Sequence, residues 1–228
     1  MSRTYIIVLI GLFLLPMPKV SHGGTWELLE NIDGIRVFKR DVSGTNLGAF
    51  KGEAVIKAPV DRIFSIIADH KVRHQWVDRL MKVSLLKRYK DKPVIIEYIK
   101  INMPWPLADR DFVNMSSAHF NSKTGVMKIK SRATTKLAPP VGEGVIRGRT
   151  IEANIVIKPL TKDTTFVSMD VLTSLEGVVP NWVVNIAQRE WPYKTLSKLR
   201  HTATNKNFPI HPRYNDIIKY SQKGLEAE

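Results

Sequence analysis

Three groups of polar residues in this chain have types and spacings that could do chemistry. His70 and His74 stand four apart, which puts two imidazoles on one helical face as a metal requires. Lys71, however, occupies the place where a zinc-hydrolase motif needs glutamate, and no third ligand is evident. Asp109 and Asp111 share one face of a predicted strand and could act as an acid/base pair, yet Arg110 between them favours structural ion pairing. Glu97 shares its strand face with Ile95, Ile99, Ile101 and Met103, while Arg147 and Arg149 share theirs with Ile151, Ala153, Ile155 and Ile157. A lone buried charge costs several kcal/mol, so Glu97 is expected to find Arg147 or Arg149, or to border an internal wet space.

Other chemistry is excluded by composition. No Ser is framed by a nucleophile-elbow pattern, and the absence of Cys removes disulfides, thiolate metal sites and Cys nucleophiles. Catalysis has no residue-level support, and neither a cofactor nor a metal is implied. The 35 Lys and Arg against 21 Asp and Glu give a net charge of +14, which draws the surface to anionic partners. The basic residues are dispersed and no nucleic-acid motif is present, so nucleic acid is not expected. The headgroups of an anionic membrane surface, met transiently, fit better, because each cationic side chain near such a surface gains about 1 kcal/mol.

The elements that must position these residues begin after residue 23. Residues 1–23 read as a secretory signal peptide, with Arg3 at its start, an apolar run over 6–15 and Ser21-His22-Gly23 at the cleavage point. That run falls short of the roughly 20 residues a membrane span needs. The remaining protein is expected outside the cytoplasm, periplasmic or secreted. Residues 24–203 suit one α+β domain, and 204–228 form a tail in which Phe208-Pro209-Ile210 and the stretch 214–220 suggest docking.

Within the domain a short helix is predicted over 25–31 and closed by Asp33-Gly34. Strands follow over 35–41 and 47–57, then a helix from Val60 to about Ala68 with Val60, Ile63, Phe64 and Ile67 on one side. A second helical stretch runs through Trp76 and Met81. Strands over 84–89, 94–103, 108–120, 126–135, 145–159 and 164–176 are joined by short turns, which implies an antiparallel meander. The Met103-Pro104-Trp105-Pro106 bend is extended, because each Pro fixes its own φ and restricts its predecessor, and it sets the angle of the strand that opens with Asp109-Arg110-Asp111. On the last strand Val167, Met169, Val171, Thr173 and Leu175 share a face. A long helix over 180–202 carries Trp182, Val183, Ile186, Ala187 and Trp191 as an apolar stripe interleaved with Asn181, Asn185 and Arg189, and Pro192 is expected to kink it near Gln188.

Trp26 before Asp33-Gly34-Ile35, Ala58-Pro59-Val60 at the first long helix, Trp76 after it, Arg110-Asp111-Phe112-Val113 on a central strand and Gly177-Val178-Val179-Pro180-Asn181-Trp182 before the last helix resemble the StAR-related lipid-transfer (START) family, over about 26–200. The resemblance implies a helix-grip fold, a curved antiparallel sheet wrapped round the C-terminal helix with an internal tunnel for one sterol, phospholipid or fatty-acyl compound. It makes the 180–202 helix a lid and the 136–144 loop its partner gate. Several animal members place a buried acid and Arg opposite each other, where this chain has Ile99 and Ser116. We expect Glu97, on the same face as Ile99, to supply a shifted polar site.

The implied tunnel would be lined by Ile95, Ile99, Ile101, Phe112, Met169, Val171 and Ile186, with Trp182 in the lid. Glu97, Arg110, Asn114, Arg149, Asn185 and Arg189 would be its polar contacts, while Asp109 and Asp111 face away. The expected function is to bind and transfer a lipid or other hydrophobic molecule. A scavenger of a smaller apolar metabolite and a helix-grip cyclase or hydrolase are the alternatives.

Overall fold

The computed structural model describes residues 24–43, 47–180, 183, 189–205 and 207–223. In chain order these form β1 (Glu27–Ile32), β2 (Ile35–Asp41), β3 (Gly48–Ile56), α1 (Val60–Ala68), α2 (Arg73–Trp76), β4 (Leu80–Arg88), β5 (Val94–Ile101), β6 (Asp109–Asn121), β7 (Val126–Ala133), β8 (Val145–Arg147), β9 (Arg149–Thr161), β10 (Thr164–Ser174), α3 (Trp191–Ala203) and α4 (Arg213–Gln222). Among the described residues the strands make one sheet in the order β1-β2-β3-β10-β9-β7-β6-β5-β4, antiparallel throughout except that β8 runs parallel to the start of β6. This is an α+β helix-grip architecture: the sheet curves over α1 and α3, with its two ends at β1 and β4. No helix among the described residues is long and apolar enough to cross a membrane.

Alternation explains which face the helices cover. Ile35, Ile56, Met127, Ile157 and Val167 point from the sheet into one cluster, against Ile63, Phe64, Ile66 and Ile67 of α1 and Leu196, Leu199 and Ala203 of α3. The α1 face predicted from spacing is buried as expected, with Ile66 added to it. Helix α3 can lie directly on β3 because Gly52 has no side chain. A Cβ there would sit 2.7 Å from Leu196 Cδ1 and 3.1 Å from Pro192 Cβ.

Several sequence expectations are corrected. Residues 25–31 are not helical: β1 pairs with β2 through Asp33 and Gly34, whose φ values of 52° and 71° make the turn a tight hairpin requires. A seven-residue helix has little stability alone, so strand pairing wins. The helical stretch through Met81 stops at Trp76, and Met81 lies in edge strand β4, 52% exposed. The strand predicted over 145–159 breaks at Gly148, where a Cβ would collide with the Phe112 ring. Pro192 falls in the first turn of α3, where its missing N–H is no loss, and follows a π-type turn at Arg189 and Glu190. The kink expected at Gln188 lies outside the described residues.

The tail folds back onto the domain. Ile217 of α4 is buried in the main core, Tyr214 packs against Phe64 and Phe120, the His211 backbone N–H donates to Ser65 Oγ at 2.8 Å, and Ser221 Oγ accepts the Phe120 N–H at 3.0 Å.

Candidate functional site

Sheet, α1, α2 and α3 enclose a cavity of about 820 Å³. It is graded along its β5/β6 wall. Near the start of β6 it is apolar, with Ile99, Ile101, Met103 and Phe112, while the facing side mixes Val179 and Val183 with Thr150, Thr173, Ser174 and Glu176. Further in, at Glu97 and beyond, it turns polar, with His70, Arg73, Asn114, Ser116 and Ser131. Strand pairing makes this gradient, because Ile99 lies opposite Phe112 toward one end of the β5/β6 ladder, while Glu97 lies opposite Asn114 and Ile95 opposite Ser116 toward the other.

Glu97 is the buried anion of the polar half, 5% exposed. Its Oε2 lies 3.0 Å from His70 Nε2 and 3.5 Å from Arg73 Nη2. Burial pushes the carboxyl up, but the charge of Arg73 and the hydrogen bond from His70 outweigh it and hold the group below the usual carboxylate range. Asn114 Oδ1, Arg73 Nε and Trp76 Nε1 are buried without a hydrogen-bond partner, and all three residues line the cavity. Ser116 and Ser131 hydroxyls bond each other at 2.7 Å across β6 and β7. These groups can orient a ligand's polar end, since buried unpaired polar atoms are costly until something satisfies them.

Of the sequence-derived site residues, Ile95, Glu97, Ile99, Ile101, Phe112, Asn114, Met169 and Val171 line the cavity. Three do not. Arg110 is 1% exposed, but its guanidinium is spent on backbone carbonyls: Nε on Leu175 at 2.9 Å, Nη2 on Glu176 at 3.2 Å, and Nη1 on Ala108. Arg149 lies exposed beside Glu176, because a register shift near Glu152 swaps the faces of β9, leaving Thr150 and Ala153 on the cavity side and Ile151 against Leu172. Arg189 reaches out to Glu30 at 3.2 Å. Trp182, Asn185 and Ile186 lie outside the described residues. Neither Arg147 nor Arg149 pairs with Glu97, because Arg147 is held by Asp111, with Nε at 2.6 Å from Oδ1 and Nη2 at 3.0 Å from Oδ2.

His70, Arg73, Trp76, Arg88 and Arg213 are cavity residues that strand alternation could not find, as they come from helices, the link between α1 and α2, a strand end and the tail. The hint available for two of them was a buried Glu97 in need of cations. Among the described residues no three His, Asp or Glu side chains converge for a metal.

The Asp109-Arg110-Asp111 charges organise the apolar end. Asp109 accepts the Met103 N–H at 3.2 Å and meets Lys100 at 3.1 Å, Arg110 fixes residues 175–176, and Arg147, held by Asp111, donates to the Pro139 carbonyl at 3.0 Å. Three loops are thereby gathered at one rim, and each exposes apolar side chains: Trp105 at 90%, Val178 at 90%, and Leu137 with Val141.

A START domain family model matches residues 16–205. The chain is 29% identical over 182 residues to an uncharacterized protein of Pseudomonas aeruginosa, covering 79% of this chain and 88% of that one. It is 28% identical over 178 residues to the phosphatidylcholine transfer protein of Bos taurus, covering 77% and 82%. The crystal structure of a STAR-related lipid transfer protein fragment from Xanthomonas axonopodis superposes with a TM-score of 0.70 at 26% identity, covering 79% of this chain and 99% of that fragment.

Proposed function

The chain belongs to the START domain family, and from that premise we propose that it is a carrier that holds one lipid molecule in the graded cavity and moves it between membranes. The observation that carries this reading is the cavity itself, about 820 Å³, lined largely by apolar side chains with a polar cluster around Glu97. A sixteen-carbon chain is held in a bilayer by roughly 12 kcal/mol gross, at about 0.8 kcal/mol per methylene, so its unaided passage through water is slow. Ile99, Ile101, Met103 and Phe112 replace the bilayer around that chain, and Glu97, Asn114 and their neighbours take the polar end.

The loop at 175–180 serves as the lid in this reading, with Val179 and Val183 on the cavity wall. Trp105, Val178, Leu137 and Val141 enter the interface of an anionic membrane, aided by the positive net charge. We place the protein outside the cytoplasm, on the apolar run over 6–15. The cyclase or hydrolase alternative is not favoured, because Asp109 and Asp111 are taken up in ion pairs away from the cavity.

Native mass spectrometry of the protein as isolated is the test. A bound lipid, exchanged on mixing with vesicles, supports the carrier. A clean protein that extracts nothing from vesicles overturns it.

A further inference from the structure

Outside the cavity wall, between the end of β4 and the start of α4, lies a cleft of about 360 Å³ bounded by Arg88, Tyr89, Lys90, His211, Arg213 and Asp216. Arg88 and Arg213 line both the cleft and the main cavity, so the two spaces meet at these side chains. Three cations and an imidazole border the cleft with one exposed carboxylate, Asp216, and Asp69 lies near enough to act on His211. Neither Arg88 nor Arg213 makes a salt bridge among the described residues, whereas Arg73, Arg147 and Lys198 each have an acidic partner.

We propose that this cleft is a binding site for an oxyanion, a phosphate or carboxylate group, completed by the C-terminal tail. Four observations carry it. First, the like charges are held together by force: Ile217, Tyr214 and the bond from the His211 N–H to Ser65 Oγ fix α4 in place, so Arg213 cannot drift from Arg88. Second, His211 Nδ1 accepts the Arg213 backbone N–H at 3.2 Å, which leaves Nε2 carrying the proton as a donor. Third, burial first and the charge of Arg88 second hold both His211 and Arg213 below their ordinary proton affinities, although Asp69 opposes this at His211 and Asp216 at Arg213. Fourth, the cleft is shared between the end of β4, inside the family match, and α4, which begins after that match ends at residue 205. Two guanidinium forks and an imidazole N–H suit phosphate, which accepts bidentate bonds.

The oxyanion has two possible sources, the headgroup of the carried lipid or free phosphate, and the first rests on the carrier reading above. The protein without its signal segment is incubated with phosphatidylcholine vesicles containing equal amounts of phosphatidic acid and diacylglycerol with identical acyl chains. Both lipids then meet the same surface charge, and the protein-bound ratio is read by mass spectrometry. In parallel, inorganic phosphate is titrated while His211 Nε2 and the arginine Nε signals are followed by NMR. The variant is Arg88→Gln with Arg213→Gln, and the control is Lys219→Gln on α4.

For a lipid source, wild type and control take up phosphatidic acid over diacylglycerol by about tenfold and the double variant loses the preference while still taking up diacylglycerol. For a free-ion source, lipid uptake shows no preference, or fails altogether and the carrier reading with it, but phosphate shifts the His211 and arginine signals in wild type and not in the double variant. The proposal is overturned if wild type shows neither the preference nor the phosphate response, or if the double variant keeps whichever wild type shows. Removing like charges should leave Tm unchanged or raised, so loss of the fold does not obscure the result.

Discussion

The Glu97 carboxylate accepts a hydrogen bond from His70 Nε2 at 3.0 Å, joining strand β5 to the link between α1 and α2 inside the cavity. The buried anion of the polar half is thus neutralised from the helical side, and its neighbours Asn114 and Arg73 keep polar atoms unpaired.

Replacing Glu97 with Gln keeps the shape and one acceptor but removes the charge facing Arg73. Lipid extraction should change by about tenfold or more, while Tm moves by only a few degrees, because Arg73 lines the cavity and can turn into it. A large drop in Tm with unchanged extraction would make Glu97 a purely structural residue.

The same carboxyl sets a pH dependence. Its folded-state pKa is lowered, so the stability it contributes is fully present above the unfolded value of about 4.3 and is lost as pH falls through the lower folded value. Urea titrations between neutral pH and pH 3 should show wild type losing its advantage over Glu97→Gln below about pH 4.3. An advantage that grows on acidification would reverse the sign assigned here.

Arg110→Ala should destabilise the protein by about 3–5 kcal/mol, since it empties a buried site and leaves the carbonyls of Ala108, Leu175 and Glu176 without their donor. Hydrogen exchange should quicken first around 104–108 and 175–178, the loops this guanidinium holds. Equal uptake of different headgroups before and after the change, in whatever fraction stays folded, would agree with its place outside the cavity.

Trp105→Ala with Val178→Ser should leave Tm within a few degrees, because both side chains stand in solvent. Vesicle binding and transfer should fall by about tenfold, the loss scaling with apolar area removed from the membrane interface. Unaltered transfer would place the membrane contact elsewhere.

Much of the fold was legible because alternation and turn chemistry are local. The faces of β5, of the inner part of β6 and of β10 could be read directly, and eight of the predicted site residues reach the cavity. The partners of Glu97 were not legible, because ion pairing between distant elements leaves no period in the chain. Arg149 was misplaced by a single register shift, which reverses every side chain upstream of it. Arg110 kept the expected parity, yet at the first turns of a strand a long side chain can bend to satisfy loop carbonyls instead of following its face.

The order of strands across the sheet also fixes an order in time. Strand β3 pairs on one side with β2, its neighbour in sequence, but on the other with β10, where Ile56 meets Thr165. As the chain emerges, β3 therefore presents an unpaired hydrogen-bonding edge until nearly the whole domain has been made. The two helices and the run from β4 to β9 must be complete before that edge closes, so β10 acts as the keystone strand. A chain cut short before Thr164 would leave β1–β3 as an open template for pairing with other chains.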